Sequence, residues 1–424
     1  MIKKEYSRFN ETVYIMKLKN GMQVHILPKE DPYYTTYVEV SIPYGALDLS
    51  YKVGQEIHQT PLGTAHFLEH KIFAMPDGDA FQEFSRLGVD ANAMTSYNQT
   101  SYLFTATDQV MPALTHLFNM LDTPYFTDDN IEQEKLIIAE ELKMYLDDPN
   151  TVMQNKIMEN MYHKHPLRYD IGGTLDSITE INKEILLDVY ENFYNPSQRL
   201  VTIAGKVNLY ELERFFKDYD IRYPKKYRKP KTIYPKEPKR LKIRHEIEEK
   251  NIGIDKFIIG FKLKPEKQNA NLQIKREMAY TMMLNILLGS SSPMFEQLLS
   301  QKLINQSFFV HTNFEKDAEN ILIFAESKRI YRLKKVLIKL LTQDAYTYLN
   351  EDSFERYKKV YLGQFIYALN NLENKAYLYG KYFHMKSSLF DVVDILKEIN
   401  YQDILETLSA IETKSISTLL YKKA

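Results

Sequence analysis

The chain has 424 residues, 44% of them hydrophobic and 26% charged, with a net charge of -1 and no cysteine. That length is too great for one ordinary core, so two or more domains are expected. The charge balance gives no electrostatic case for a nucleic-acid or membrane-surface partner. The absence of cysteine excludes disulfides, thiolate metal ligands and a cysteine nucleophile, so any metal site must use His, Asp or Glu. Residues 1–8 carry no apolar run behind their charges and do not read as a signal peptide. No stretch has the apolar length needed to cross a bilayer, and a cytoplasmic location is expected.

Residues 13–18 and 22–27 read as strands flanking Asn20-Gly21, a two-residue hairpin signal, with Pro28 ending the second. Residues 35–42 alternate apolar and polar side chains, which predicts a half-buried strand closed by Gly45. After a polar loop, Pro61 and Gly63 precede Thr64-Ala65-His66-Phe67-Leu68-Glu69-His70-Lys71-Ile72-Phe73, read as a helix with Thr64 as its N-cap. Positions i, i+3 and i+4 share a helix face. His66, Glu69 and His70 therefore point one way, while Phe67, Leu68, Ile72 and Phe73 can turn into a core. Two imidazoles one turn apart can hold a zinc ion, and a carboxylate beside them can act on its water. The order His-x-x-Glu-His is the inverted zinc-peptidase motif. The same pattern also occurs on polar helix surfaces, so the rest of the chain must decide.

Met75-Pro76-Asp77-Gly78 breaks that helix, and a short helix over 80–87 ends at Gly88. Segment 89–97 carries small residues at Ala91, Ala93 and Thr95, which would let another backbone come close, and strand 101–107 follows. It reads either as an ordinary edge strand or as one to which a peptide substrate adds. Residues 110–121 predict a helix. The next helix runs from the capping pair Asp128-Asp129 to about residue 146 and places Glu134, Ile138, Glu141 and Tyr145 on one stripe. Burying a carboxylate is costly unless it is paired or bound to metal. The stripe is thus either a salt-bridged surface or the source of the third, oxygen-bearing ligand that the histidine pair lacks.

His163 and His165 are one residue apart and followed by Pro166, and they read as loop residues rather than ligands. Helices are expected over 152–162 and 177–193, a turn at Gly172-Gly173 and a strand over 199–203. The basic stretch 222–240, with Pro224, Pro230, Pro235 and Pro238, reads as a stiff solvated linker. Beyond it the plan repeats, with a strand at 257–263, helices at 276–288 and 294–301, strands at 308–311 and 321–326, and mostly helix from 330 onward. His245, His311 and His384 are scattered in this half, which has no second motif. An internal duplication with one chemically silent half is the simplest description. The expected division is 1–222, a linker over 223–240, and 241–424.

His66-Phe67-Leu68-Glu69-His70 together with Glu134 and Glu141 resembles the pitrilysin/insulinase family of inverted-motif zinc peptidases. Leu18-x-Asn20-Gly21, Asn92-Ala93-x-Thr95, Phe193-Tyr194-Asn195-Pro196-Ser197 and Gly289-Ser290-Ser291-Ser292-Pro293 resemble it as well. The likeness covers nearly the whole chain and is closest to half-size bacterial members that act as one subunit of a pair. It implies an α+β fold of two homologous domains, each a mostly antiparallel sheet packed by helices. It implies a zinc-dependent endopeptidase acting on small or unfolded peptides. In that reading Zn2+ is held by His66, His70 and Glu141, and Glu69 is the general base that activates zinc-bound water. Glu134 would orient a ligand histidine, and Asn92, Ala93, Met94 and Thr95 would form the strand to which substrate adds. Full-length members carry an Arg and a Tyr in the second half, where Leu299 and Asn305 stand here. The resemblance therefore implies a heterodimer with a metal-free homologous partner subunit supplying that pair. A non-catalytic scaffold subunit of the same family is the alternative, and a zinc hydrolase of non-peptide substrates is a third reading. Processing of a precursor or leader peptide is one use that the sequence leaves open.

Overall fold

The computed structural model of the chain describes residues 1–30, 33–223, 225, 227–266 and 269–424. It is an α+β protein of two compact units. The first comprises Met1–Lys143, Asp170–Ile233 and Ala368–Phe390, and the second Met144–Tyr169, Tyr234–Tyr367 and Asp391–Ala424.

The first unit is built on a seven-stranded sheet of β1 (Ile2–Tyr6), β2 (Glu11–Lys17), β3 (Gln23–Pro28), β4 (Thr36–Ile42), β5 (Asp90–Thr95), β6 (Thr100–Ala106) and β7 (Leu200–Gly205). Their spatial order is β1-β2-β3-β7-β4-β6-β5, with β7 parallel to β3 and antiparallel to β4. The Asn20-Gly21 signal does close a β2–β3 hairpin, paired from Tyr14 opposite Ile26 to Lys17 opposite Gln23, with Gly21 at φ +102°. One face of the sheet meets the helix Thr64–Ile72, whose Phe67, Leu68 and Ile72 join Val40, Ile42 and Phe104 in a single core cluster. Each such side chain contributes roughly 1.5–3 kcal/mol when fully buried.

The other face departs from the half-buried expectation, because all seven residues of β4 are buried. Its polar side chains lie under the helix Leu372–His384, which the chain reaches only much later. Ser41 Oγ lies 2.8 Å from His384 Nε2, 343 residues away, and His25 Nδ1 lies 2.7 Å from the Tyr379 hydroxyl.

The single helix expected over 177–193 is two helices, Leu175–Thr179 and Lys183–Phe193. Each has its own cap. Thr174 and Ser177 form a capping box, and the Asn182 side chain accepts from the Ile185 amide, which breaks the helix between them. A small three-stranded sheet joins Ser50–Val53 to Glu56–Gln59 and to Lys231–Thr232. The proline-rich stretch is therefore partly a strand rather than a free linker; of its prolines, Pro224 lies outside the described residues.

The second unit holds a five-stranded sheet of β8 (His245–Lys250), β9 (Lys256–Leu263), β10 (Phe309–Glu315), β11 (Ala318–Glu326) and β12 (Ile416–Lys423), in the order β8-β12-β9-β11-β10. The β8–β12 pair is parallel and the others are antiparallel. This repeats the pattern of β3-β7-β4-β6-β5 strand for strand, which is the structural form of the duplication. Helix Ala270–Leu288 corresponds in chain order to Thr64–Ile72 and from Met278 onward is packed on almost every side, as its run of buried Met and Leu residues requires.

Strands β8 and β12 were not expected. β8 is a charged edge with no apolar period, and β12 follows a long helical run. Helix Pro149–Met161 packs on this second sheet, where a side chain on Gly260 would collide with Met161 Sδ at 2.5 Å. The Glu237 carboxylate accepts the backbone N–H groups of His163, Lys164 and His165 and pairs with Lys262 Nζ at 2.6 Å. His165 is buried there, stacked on Tyr234, with Nδ1 accepting from the Leu167 amide and Nε2 on the Lys316 carbonyl. Its role is a loop anchor.

Candidate metal centre

The motif helix Thr64–Ile72 begins at a backbone crossing. Gly63, not Thr64, is its N-cap, at φ +83°, and the Thr64 hydroxyl instead donates to the Pro61 carbonyl at 2.8 Å. A Cβ on Gly63 would lie 2.3 Å from the Gly172 oxygen, and one on Gly173, also at φ +83°, 2.7 Å from the Leu62 oxygen. Only glycine at both positions lets the 172–173 turn close against the start of the motif helix.

From that start the helix carries His66 and His70 one turn apart, with ring centroids 4.6 Å from each other. Helix Asp128–Asp147 brings Glu141 across from them. Its Oε2 lies 3.8 Å from His66 Nε2 and 3.7 Å from His70 Nε2, and the three donor atoms sit within 4.8 Å of one another. Ligands about 2.0–2.1 Å from a tetrahedral zinc ion stand about 3.3 Å apart, so modest closure seats an ion. Two imidazoles and one carboxylate form a donor set that suits zinc and leaves a fourth position open. Among the described residues this is the one group of three His, Asp or Glu side chains so disposed.

The Glu134 to Tyr145 stripe divides as its chemistry requires. Ile138 is fully buried, while Glu134 Oε1 lies 3.0 Å from His70 Nδ1 and Glu134 Oε2 accepts from Lys71 Nζ at 3.2 Å. Tyr145 ends the stripe half exposed. Lys71 is buried and also donates to the Asn130 carbonyl at 3.1 Å. The sequence reading missed this lysine, although its place directly after the motif was the available signal. Burial pushes the Glu134 carboxyl up, but its bonds to His70 and Lys71 outweigh that and hold it below the usual range. For His70, burial pulls down and the Glu134 bond, with the charges of Glu134, Glu69 and Glu141, pulls it up overall. His66 goes the other way, lowered by burial and by neighbouring His70 against the pull of Glu141, Asp170 and Glu134.

Glu69 lies on the same helix face, and burial raises its pKa, opposed by a hydrogen bond from the Thr95 hydroxyl. That bond ties the motif helix to β5, which is the edge strand of its sheet, as expected for segment 89–97. The sequence-selected Asn92, Ala93, Met94 and Thr95 all lie on this edge. The Asn92 side chain turns back to accept the Ala93 amide at 2.8 Å. In the second unit, Leu299 is exposed on helix Pro293–Ser300, and Asn305 binds Glu326 Oε2 at 3.0 Å. Neither offers the group of an arginine or a tyrosine.

A duplicated α+β chain with an inverted His-x-x-Glu-His helix facing a distant glutamate defines a metallopeptidase class, and the comparisons agree. The family description "Insulinase (Peptidase family M16)" matches residues 53–175, and "Peptidase M16 inactive domain" matches residues 180–361. The chain is 34% identical over 410 residues to the "Uncharacterized zinc protease YmfH" of Bacillus subtilis (strain 168), covering 94% of each. A solved M16-like peptidase from Alicyclobacillus acidocaldarius superposes with a TM-score of 0.92 at 25% identity, covering 100% of both chains. The periplasmic protease PqqL from Escherichia coli shares the fold at a TM-score of 0.78 and 15% identity, with all of this chain matching 48% of that one. The chain belongs to the insulinase (peptidase M16) family and is of half size within it.

Proposed function

We propose that the protein is a zinc-dependent endopeptidase that hydrolyses small or unfolded peptides, with zinc held by His66, His70 and Glu141. The observation that carries this reading is the convergence of those three donor atoms within 4.8 Å beside the Glu69 carboxylate. Bound there, zinc supplies Lewis acidity to the site. Glu69 accepts a proton from the attacking water and passes it to the leaving amine nitrogen, a task suited to a carboxyl whose burial raises its basicity. Glu134 fixes the ring of His70, and Lys71 fixes Glu134. β5 is the edge of its sheet, and along Asn92–Thr95 an extended peptide adds as a further strand, taking the Ala93 amide from the Asn92 side chain, its scissile bond carried toward Glu69 by the Thr95 link.

Leu299 and Asn305 stand where the family's full-length members carry an Arg and a Tyr, and the chain matches 48% of a longer protein of the same fold. Both support a heterodimer in which a metal-free homologous subunit supplies an Arg and a Tyr. The test measures zinc content and cleavage of a mixed short-peptide library by this chain alone and with the candidate partner. About one zinc per chain, with cleavage only on adding the partner, is expected. Zinc with full activity alone would overturn the paired arrangement. No zinc and no cleavage in either case would favour the scaffold reading.

A further inference from the structure

The two imidazoles that face the candidate metal position are held unequally. His70 Nδ1 has the Glu134 carboxylate at 3.0 Å. His66 Nδ1 is buried and has no hydrogen-bond partner. With its Nε2 given to a metal, a neutral imidazole carries its proton on Nδ1, so this atom is a donor sealed in the interior with nothing to receive it. Such a donor is costly, and ligand histidines almost always pass that proton to a carboxylate, a carbonyl or water.

What lies beside it is the turn Asp170-Ile171-Gly172-Gly173. The point where a Cβ would sit on Gly172 is 3.5 Å from His66 Nδ1 and 3.3 Å from Asp170 Oδ1, so both atoms converge on the space that glycine leaves. Leu142 Cδ2, 2.9 Å from the same point, closes that space to any side chain on residue 172. Asp170 is itself anchored. Its Oδ1 accepts the Gly172 amide at 2.8 Å, and its carbonyl accepts the Gly173 amide at 3.1 Å. A carboxylate has lone pairs to spare beyond one such bond.

We propose that Asp170 is the positioning residue for His66, its carboxylate accepting the His66 Nδ1–H when Nε2 holds the metal, as Glu134 does for His70. The carboxylate would receive that proton across the space that Gly172 leaves, with the turn still held by the Asp170 carbonyl on the Gly173 amide. The centre then has two carboxylate–histidine pairs, one from each side. This inference rests on the zinc reading above and adds to it the residue that fixes the first ligand.

The test compares zinc affinity of the full chain, by competition with a chelating dye, for the unaltered protein, Asp170→Asn, Asp170→Ala, Asp170→Glu and Glu134→Gln. Asp170→Asn keeps an acceptor for the Gly172 amide, so the metal-free form should melt as the unaltered protein does. Its zinc affinity should fall about 10- to 100-fold, as for Glu134→Gln, with Asp170→Glu recovering part of the loss. In the zinc-loaded unaltered chain, nitrogen-detected NMR should show a slowly exchanging, hydrogen-bonded Nδ1–H on His66, absent in Asp170→Asn. The signal in the unaltered chain is read without any variant. Equal zinc affinity in Asp170→Ala and the unaltered chain, or a freely exchanging His66 Nδ1–H, overturns this inference and leaves the zinc site standing. Absence of zinc from the unaltered chain overturns both.

Discussion

The hydroxyl of Thr95, last residue of the edge strand, donates to the carboxylate of Glu69 on the motif helix. One hydrogen bond thus joins the element proposed to hold substrate to the group proposed to move the proton. Thr95→Val should leave KM nearly unchanged and lower kcat about tenfold, about 1.4 kcal/mol of barrier, because the carboxylate is no longer aimed. Thr95→Ser should recover most of the rate. Steady-state kinetics on one short peptide decides, and an unaltered kcat in the valine variant would show that the bond serves the fold alone.

Removing the carboxylate itself separates binding from chemistry. Glu69→Gln should retain zinc at the unaltered stoichiometry while hydrolysis falls by roughly 10²–10⁴-fold or more. His66→Ala should lose both. Metal analysis and peptide cleavage on the same preparations give the two readouts. An active, zinc-loaded Glu69→Gln chain would exclude Glu69 as the base.

The glycine crossing gives a stability prediction with an internal control. Gly63→Ala places a methyl group 2.3 Å from the Gly172 oxygen at φ +83°, whereas Gly88→Ala, at φ +69°, meets nothing within 4 Å. The first should cost at least about 2 kcal/mol and weaken zinc binding; the second should cost only the backbone conformation, about 1–2 kcal/mol, with zinc unaffected. Urea denaturation and zinc titration of both variants test the contrast.

Acidity should act through the polar layer under helix Leu372–His384. Glu39 is fully buried, with Oε1 accepting from Ser101 at 2.7 Å and Oε2 without a partner. Burial pushes its pKa up to about 7 from 4.5, opposed by the Ser101 bond and helped by Glu373. Between those values the folded chain keeps a proton that the unfolded chain has lost, so this residue's contribution to stability falls as pH rises through the window. Glu39→Gln keeps the acceptor for Ser101 and carries no charge. Its stability gain over the unaltered protein should grow from near zero at about pH 4.5 to about 1–3 kcal/mol at about pH 8. His25 and His384, pushed down to about 4 by burial, titrate in both proteins and cancel in the comparison. A gain that does not change with pH would assign the titration to another group.

Much of the candidate site could be read along the chain because helical periodicity is local. Spacings of four between His66 and His70, and of seven between Glu134 and Glu141, place each pair on one face whatever surrounds it. The motif's apolar residues were legible for the same reason, and Phe67, Leu68 and Ile72 are buried as expected. What escaped depends on partners distant in sequence. Thr64 looked like a cap because its type suits one, yet the positive φ of Gly63 answers to a backbone turn at Gly172. Lys71 went unnoticed because its partners, Glu134 and the Asn130 carbonyl, lie on another helix far along the chain. The alternation in β4 was real, but no pattern within seven residues could announce a helix 343 residues later from Ser41.

That late helix and its counterpart make the chain indivisible. Pro149–Met161, from the first half of the sequence, covers the second sheet, and Leu372–His384, from the second half, covers the first. A fragment stopping at residue 222 would bare the row formed by His25, Thr202 and Glu39 across three neighbouring strands, each of them buried in the whole protein. A fragment starting at 241 would bare the Gly260 face that Met161 fills. Each half thus holds the other's warranty: neither can be deleted or transplanted as a cassette without exposing its sibling's sheet to water.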